Sequence, residues 1–393
     1  MIKSSKIIKI LMRCAFLVVF FLLGMLMYVI FDSDEENPSR SEDPVTLEQK
    51  SEDSEAANFQ KSGEKEMALA EPEPIEKIVS VELAVYTYEQ MVTDLTKLGA
   101  AYAGLLNVKE VGLTADNRKI MEAVIGNSES PVHIVVQASI HGREYINTLL
   151  VMEQLEYILQ NYDTGSYNGK SYKQLLEQVC FHILPMTNPD GVTISQQGMK
   201  GIQNESLRAV LTECHENDLV SGKTTEASDL YWERWKANAR GVDLNRNFPS
   251  GWNGYVGAQA PSSDYYKGEF SGSEPEVQAI INVAKSHPTV CTISYHSSGN
   301  LVYWDYGSQG AVYEADKQLA SLVSGLTGYS MNSTVQNTQD AAGCSDYFVL
   351  EKGIPSVTIE NGLSDSPVLI SEFAAIWNAN KQILPALAER YAE

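Results

Sequence analysis

The chain has 393 residues, 44% of them hydrophobic and 20% charged, which is an ordinary globular composition. With 27 glycines and 14 prolines it is neither collagen-like nor dominated by Pro and Gly. Acidic residues number 51 against 29 basic ones, a formal charge of −22, which argues against a nucleic-acid partner because a phosphate backbone is held by clustered Lys and Arg.

Residues 1–13 carry Lys3, Lys6, Lys9 and Arg13 and no acid. From Cys14 to Phe31 follow 18 residues without a charge, extended across Arg13 by Ile10 to Met12. That length approaches the roughly 20 apolar residues a spanning helix needs. The run ends in Tyr28-Val-Ile-Phe31 with no small-residue cleavage site, so an uncleaved signal anchor is expected over 14–31. The preceding basic residues predict a cytoplasmic amino terminus and an extracytoplasmic remainder at the cell membrane. Residues 32–77 hold 15 acidic and 5 basic residues and four prolines, with almost no aromatic side chain. Such a segment has too little apolar surface to offset the entropy of ordering, and reads as a disordered tether. A flexible spacer of about 46 residues would reach roughly 35–40 Å.

Residues 78–393 read as one large domain. An amphipathic helix is expected over 88–106, with Met91, Leu95, Leu98 and Tyr102 at helical spacing. Strand-like runs follow at 108–113, 121–125, 133–140, 179–186, 289–296 and 355–360. A helix is expected over 147–162, and another through 376–392 closes the chain. This alternation predicts an α/β fold, a mixed, mainly parallel twisted sheet flanked by helices. Ligands of such folds gather beyond the carboxyl ends of the strands. Cys180, Cys214, Cys291 and Cys344 match no zinc-finger spacing; Cys180 and Cys291, in apolar strand runs, are expected as buried thiols, with one disulfide left open.

The polar residues that carry chemistry stand at those strand ends. Ala138-Ser-Ile-His141-Gly-Arg-Glu144 places an imidazole and a carboxylate at i and i+3 on a strand-to-helix junction. Imidazole plus carboxylate suits zinc, but by chance most such pairs lie on the surface, and a third ligand is needed. Thr292-Ile-Ser-Tyr-His296 supplies a histidine at the end of another apolar strand, a place where a lone histidine is more often a hydrogen-bonded core residue. Gly241-Val-Asp-Leu-Asn245-Arg246 puts an amide beside a guanidinium, a fork suited to a carboxylate. Ile354-Pro-Ser-Val-Thr-Ile-Glu360 ends a buried run in a carboxylate with no neighbouring base, costly unless exposed or employed. Gly-x-Ser-x-Gly, a Walker loop and GxGxxG are all absent. His133, His182, His215 and His287 belong to no motif and read as core or surface positions. Trp252, Tyr255, Tyr265 and Tyr266 lie in a stretch that could line a groove or simply pack.

In this order and spacing the motifs resemble the zinc metallocarboxypeptidases related to carboxypeptidase A, over essentially 85–393. The resemblance implies zinc (Zn2+) on His141, Glu144 and His296, and Glu360 as general base and then acid. It implies a structural turn at Asn188-Pro-Asp-Gly191, a substrate carboxylate on Asn245 and Arg246, and an upstream contact at Arg143. The family's oxyanion-stabilising arginine aligns with Lys236, so either Lys236 acts there or Arg240 reaches in. The mobile tyrosine of digestive members is replaced by Thr338, with Tyr347 too late to substitute confidently. Ser345 falls at the floor of the specificity pocket, so neither a basic nor an aromatic preference is implied. The stretch Trp235 to Pro249, with Ser297-Ser-Gly and Tyr303-Trp304, looks closest to bacterial γ-D-glutamyl-diamino-acid peptidases. A membrane-anchored peptidase trimming cell-wall (peptidoglycan) stem peptides is therefore expected. A general peptide-scavenging exopeptidase and a non-catalytic peptide-binding module are the alternatives.

Overall fold

The computed structural model describes residues 76–83, 85–225, 229–335 and 342–392. The expected membrane span, nearly all of the acidic tether and Thr338 lie outside them. Among the described residues no helix is long and apolar enough to cross a membrane.

Helix α1 spans Tyr88–Ala101, capped by the Thr87 side chain accepting from the Gln90 N–H at 3.2 Å. It buries Met91, Leu95 and Leu98, the helical stripe the spacing predicts. It stops five residues earlier than expected because Gly104 adopts φ 90° and turns the chain into a strand.

Among the described residues eight strands form one sheet: β1 Leu106–Leu113, β2 Lys119–Gly126, β3 His133–Ala138, β4 Cys180–Leu184, β5 Thr289–His296, β6 Leu301–Asp305, β7 Ser330–Ser333 and β8 Ser356–Glu360. Their spatial order is β1-β2-β4-β3-β5-β8-β6-β7. The central four, β4-β3-β5-β8, are parallel; β1 and β2 join antiparallel on one side, and β6 pairs antiparallel with β8 on the other. The sheet is thus mixed. Every residue of β3 and β4 is buried, as expected for strands covered on both faces.

One face packs α1, α2 (Ile146–Gln160) and the closing helices around Ile134, Val136, Phe181 and Ile293. The other packs Val135 and Leu184 against Leu244, Phe248 and the Val277–Ile280 side of a helix over Pro275–Lys285. The alternation Ile134, Val135, Val136 between the two cores is the period-two signature of the strand. The closing helix is two helices, Phe373–Asn380 and Ile383–Tyr391. Pro385 explains the break, since it has no N–H to give the Lys381 carbonyl and its ring would clash there. All four cysteines of the domain are buried free thiols, so the disulfide left open by the sequence is not formed.

Candidate active site

At the end of β3 the chain turns through Ser139, held at φ 53° with its hydroxyl 2.8 Å from that of Thr148. His141 follows in extended conformation, and Gly142–Glu144 form one 3-10 turn before α2. Gly142 is required here: a Cβ would meet the Gly191 carbonyl oxygen at 2.3 Å. That carbonyl belongs to the Asn188–Gly191 turn, which starts a helix over Pro189–Gln197. The Asn188 side chain caps this helix and donates to the Ile140 and Ala237 carbonyls at 3.0 and 3.1 Å, tying the two site-bearing segments together. Asp190 is anchored by Thr114, the Asp116 N–H and Arg118. The turn is structural, as the motif implies.

Three buried side chains converge beyond the strand ends. His141 Nδ1 lies 2.8 Å from Glu144 Oε1, and His296 Nδ1 lies 3.0 Å from Glu144 Oε2 and 3.1 Å from His141 Nδ1. The Asp243 carboxylate stands 3.3 Å from His141 Nε2 and so favours the proton there, leaving the Nδ1 lone pair for the centre of the cluster. Two imidazole nitrogens and a carboxylate gathered in this way match the donor set of a catalytic zinc. Without a cation, two ring nitrogens would face one another inside the protein. Burial alone would raise the Glu144 carboxyl, but His141 and His296 hold it well below the usual range. Asp243 is likewise held down, with Lys236 and His141 outweighing its burial.

Glu360 closes β8 and pairs in register with His296 on β5. Burial and the nearby Glu144 charge push its carboxyl up to about 7, against the pull of His296, Lys236 and Arg143. A cavity of about 190 Å³ is lined by His141, Lys236, Asn245, Arg246, Ser345 and Glu360, together with Tyr303 and Tyr306. A second, of about 410 Å³, shares His141, Lys236, Tyr303 and Glu360 and continues past Arg143, Arg234 and Asp365. Every site residue expected from the sequence therefore borders one hollow or the other. Lys236 faces both; Arg240 lines neither, and its guanidinium sits 3.5 Å from Glu274.

Asn245 accepts from the Cys344 N–H at 2.9 Å, which binds the Asn245–Arg246 turn to the Ser345 segment. Arg246 is buried under the rings of Tyr255 and Tyr265 at 5.5 and 5.9 Å. The floor beneath it is a chain of hydroxyls. Ser345 Oγ lies 3.0 Å from Thr358 Oγ1 and 2.9 Å from Ser356 Oγ, and the Tyr306 hydroxyl donates to Thr358 at 3.1 Å. Tyr347 is buried against Phe248 and Phe348 and is not on the cavity wall. Of the aromatic stretch, Tyr265 lines the cavity, whereas the Trp252 indole packs under Lys267. Asp243, Tyr306 and Thr358 are site residues that the sequence reading missed. Asp243 stood inside the quoted motif, but its partner is 102 residues away in sequence.

The family model described as "Zinc carboxypeptidase" matches residues 91–386. The chain belongs to that family. It is a zinc metallocarboxypeptidase by family, with the His141, Glu144 and His296 cluster able to hold the metal. Among its relatives, Gamma-D-glutamyl-L-diamino acid endopeptidase 1 of Lysinibacillus sphaericus is 30% identical over 295 residues, 74% of this chain and 69% of that protein. Carboxypeptidase A2 of Rattus norvegicus is 28% identical over 225 residues, 57% of this chain and 47% of that protein. Two solved structures share the family's fold. Carboxypeptidase A from Helicoverpa armigera matches with TM-score 0.58 and 20% identity, covering 80% of this chain and 76% of that one. Bovine thrombin-activatable fibrinolysis inhibitor matches with TM-score 0.59 and 18% identity, covering 79% of this chain and 98% of that one.

Proposed function

We propose that the chain hydrolyses the peptide bond before a carboxylate-bearing diamino acid, as in the γ-D-glutamyl-diaminopimelate link of cell-wall stem peptides. The observation that carries this reading is a pair of hollows sharing His141, Lys236, Tyr303 and Glu360, around which the metal cluster, a carboxyl of raised pKa and a guanidinium–amide pair all gather. Zinc, when bound, supplies Lewis-acid polarisation of the carbonyl and acidifies water. Glu360 accepts the proton of the attacking water and then delivers it to the leaving amine. Lys236 offers its ammonium to the oxyanion that develops on the carbonyl. Asn245 and Arg246 hold the terminal carboxylate, and Arg143 contacts the substrate upstream of the cut.

The uncharged hydroxyl floor at Ser345, Thr358 and Tyr306 supports a side chain that is itself both amine and acid. Those hydroxyls are paired with one another, and Asp346 lines the same hollow, so an amine on the substrate's side chain would have a carboxylate within the cavity while its acid faces the hydroxyls and Arg246. The named activity of the Lysinibacillus relative supports the same substrate class. An outward-facing, membrane-anchored location is part of the proposal, supported by the basic start and the apolar run at 14–31. Protease added to intact cells should digest the domain; protection of the domain until lysis would remove this part.

The activity test uses the zinc-loaded full chain with L-Ala-γ-D-Glu-diaminopimelate and, in parallel, an α-linked peptide, followed by mass spectrometry. Free diaminopimelate is expected from the first, and none with Glu360→Gln. Cleavage of the α-linked peptide alone would move the substrate to general external peptides. Zinc binding without cleavage of either would leave a peptide-binding module.

A further inference from the structure

The two hollows around the metal cluster give the cleft a direction. Asn245 and Arg246, which hold the terminal carboxylate in the proposed reaction, border only the smaller one. His141, Lys236, Tyr303 and Glu360 border both, so the reacting bond belongs where the hollows meet. Arg143, Arg234 and Asp365 border only the larger one, which therefore takes the part of the substrate upstream of the cut. Arg234 has no part in the reaction as described so far.

Its neighbour turns Arg234 toward the cleft. Trp235 is fully buried against Tyr231 and Trp232, with ring centroids 6.0 and 5.6 Å away. With that indole facing the core, Arg234 and Lys236 on either side of it both line the larger hollow. The segment is tied to the metal-binding turn, since the Gly142 N–H donates to the Lys236 carbonyl at 3.0 Å. Arg143 Nη1 donates to the Arg234 carbonyl at 3.4 Å, which seats the Arg143 guanidinium against the Arg234 backbone. Arg143 Nε is shielded from solvent without a hydrogen-bond partner. Among the described residues neither guanidinium has a carboxylate at ion-pair distance. Two guanidiniums without a counter-charge, in a chain of formal charge −22, favour an anion on the upstream side.

An ordinary α-linked peptide carries a free carboxylate there only when its side chain is acidic. A γ-linked glutamyl residue always carries one: its γ-carboxyl forms the scissile bond, and its α-carboxylate stays free four bonds from the scissile carbon. We infer that Arg143 and Arg234 receive this free α-carboxylate, and that Arg234 makes the enzyme select the acid over its amidated form. The inference rests on the γ-glutamyl reading of the function. Four bonds of about 1.5 Å let the carboxylate stand about 5 Å from the reacting carbon. Arg143 is near enough to that centre for its charge to pull on Glu360. A carboxylate offers two acceptor oxygens to a guanidinium fork, whereas a carboxamide turns an NH2 against the same N–H donors. Asp365 is exposed, so solvent screens its repulsion of the incoming anion.

The test compares L-Ala-γ-D-Glu-diaminopimelate with its α-carboxamide, L-Ala-γ-D-isoglutaminyl-diaminopimelate, on the zinc-loaded full chain, reading kcat and KM for each. The acid is expected to have a kcat/KM about 10–100-fold above that of the amide, mostly through KM. Arg234→Gln should shrink that ratio to within about threefold, and Arg234→Lys should keep part of it; the exposed position makes both variants compatible with folding. Equal kcat/KM for acid and amide, or a ratio that survives Arg234→Gln, would overturn the inference and leave the γ-glutamyl peptidase reading standing. Failure to cut either tripeptide would overturn both.

Discussion

Glu360 accepts a proton only when ionised, and its burial raises its pKa to about 7. A bound zinc cation pulls that value down again, so the acid limb of kcat/KM should lie between the ordinary carboxyl range and pH 7. Activity should fall as pH drops through this limb, because the base becomes protonated; a profile flat down to pH 4 would show that another group accepts the proton. Lys236 brings the charge of the family's arginine without its fork. Lys236→Met should lower kcat by about 10²–10³ with a smaller change in KM, the usual cost of losing one oxyanion donor. Lys236→Arg should retain most of the activity, and equal loss in both variants would count against a charge role. Asp243 orients His141, so Asp243→Asn should weaken zinc binding by about 10–100-fold in a chelator competition. At this scale the ligands, Glu360 and the Asn245–Arg246 pair were legible, since each belongs to a short local motif. Asp243 and Tyr306 were not, because their partners come from other elements.

The helix over Pro275–Lys285 carries Glu276, fully buried, with Oε1 unpaired among the described residues and Glu274 close by. Burial and then the Glu274 charge raise its carboxyl to about 8. The folded state therefore holds a proton that the unfolded chain releases near pH 4.5. Stability from this group is complete below that pH and is lost as pH rises toward 8. Glu276→Gln should stabilise the protein by up to a few kcal/mol at pH 8.5 and scarcely at all at pH 4.5, read from urea midpoints. A pH-independent difference would point to packing instead. Gly142 and Gly191 mark where a 3-10 turn and a helix start touch backbone to backbone. Gly142→Ala must push that contact apart, with an expected loss of about 1–3 kcal/mol and reduced zinc affinity. Elements were legible where periodicity was clean, as in β5 and α1. The short β6 and β7 were not foreseen: they form the sheet's far side, and their pairing with β8 and with each other is a long-range fact.

Across the whole molecule, the catalytic hollow exists because β3, β5 and β8 are parallel neighbours that end on the same side. Zinc bound there joins the segments after β3 and at the end of β5, so removing it with a chelator should lower Tm, and added zinc should restore it. A Tm indifferent to metal would mean the strand ends are held without it.

The sequence by itself determined the fold class, the family and the three residues that gather as a candidate metal cluster, with Glu360 in the same hollow. Local spacing encodes these, because a motif at a strand end needs only its own strand to be placed. Tertiary structure alone decided that Lys236 rather than Arg240 faces the site, that Ser345 joins a run of hydroxyls, and that Tyr347 is core. It also decided that His133, His182 and His287, separate along the chain, bring their rings together. Proximity across a sheet depends on strand order and register, which composition and periodicity do not specify.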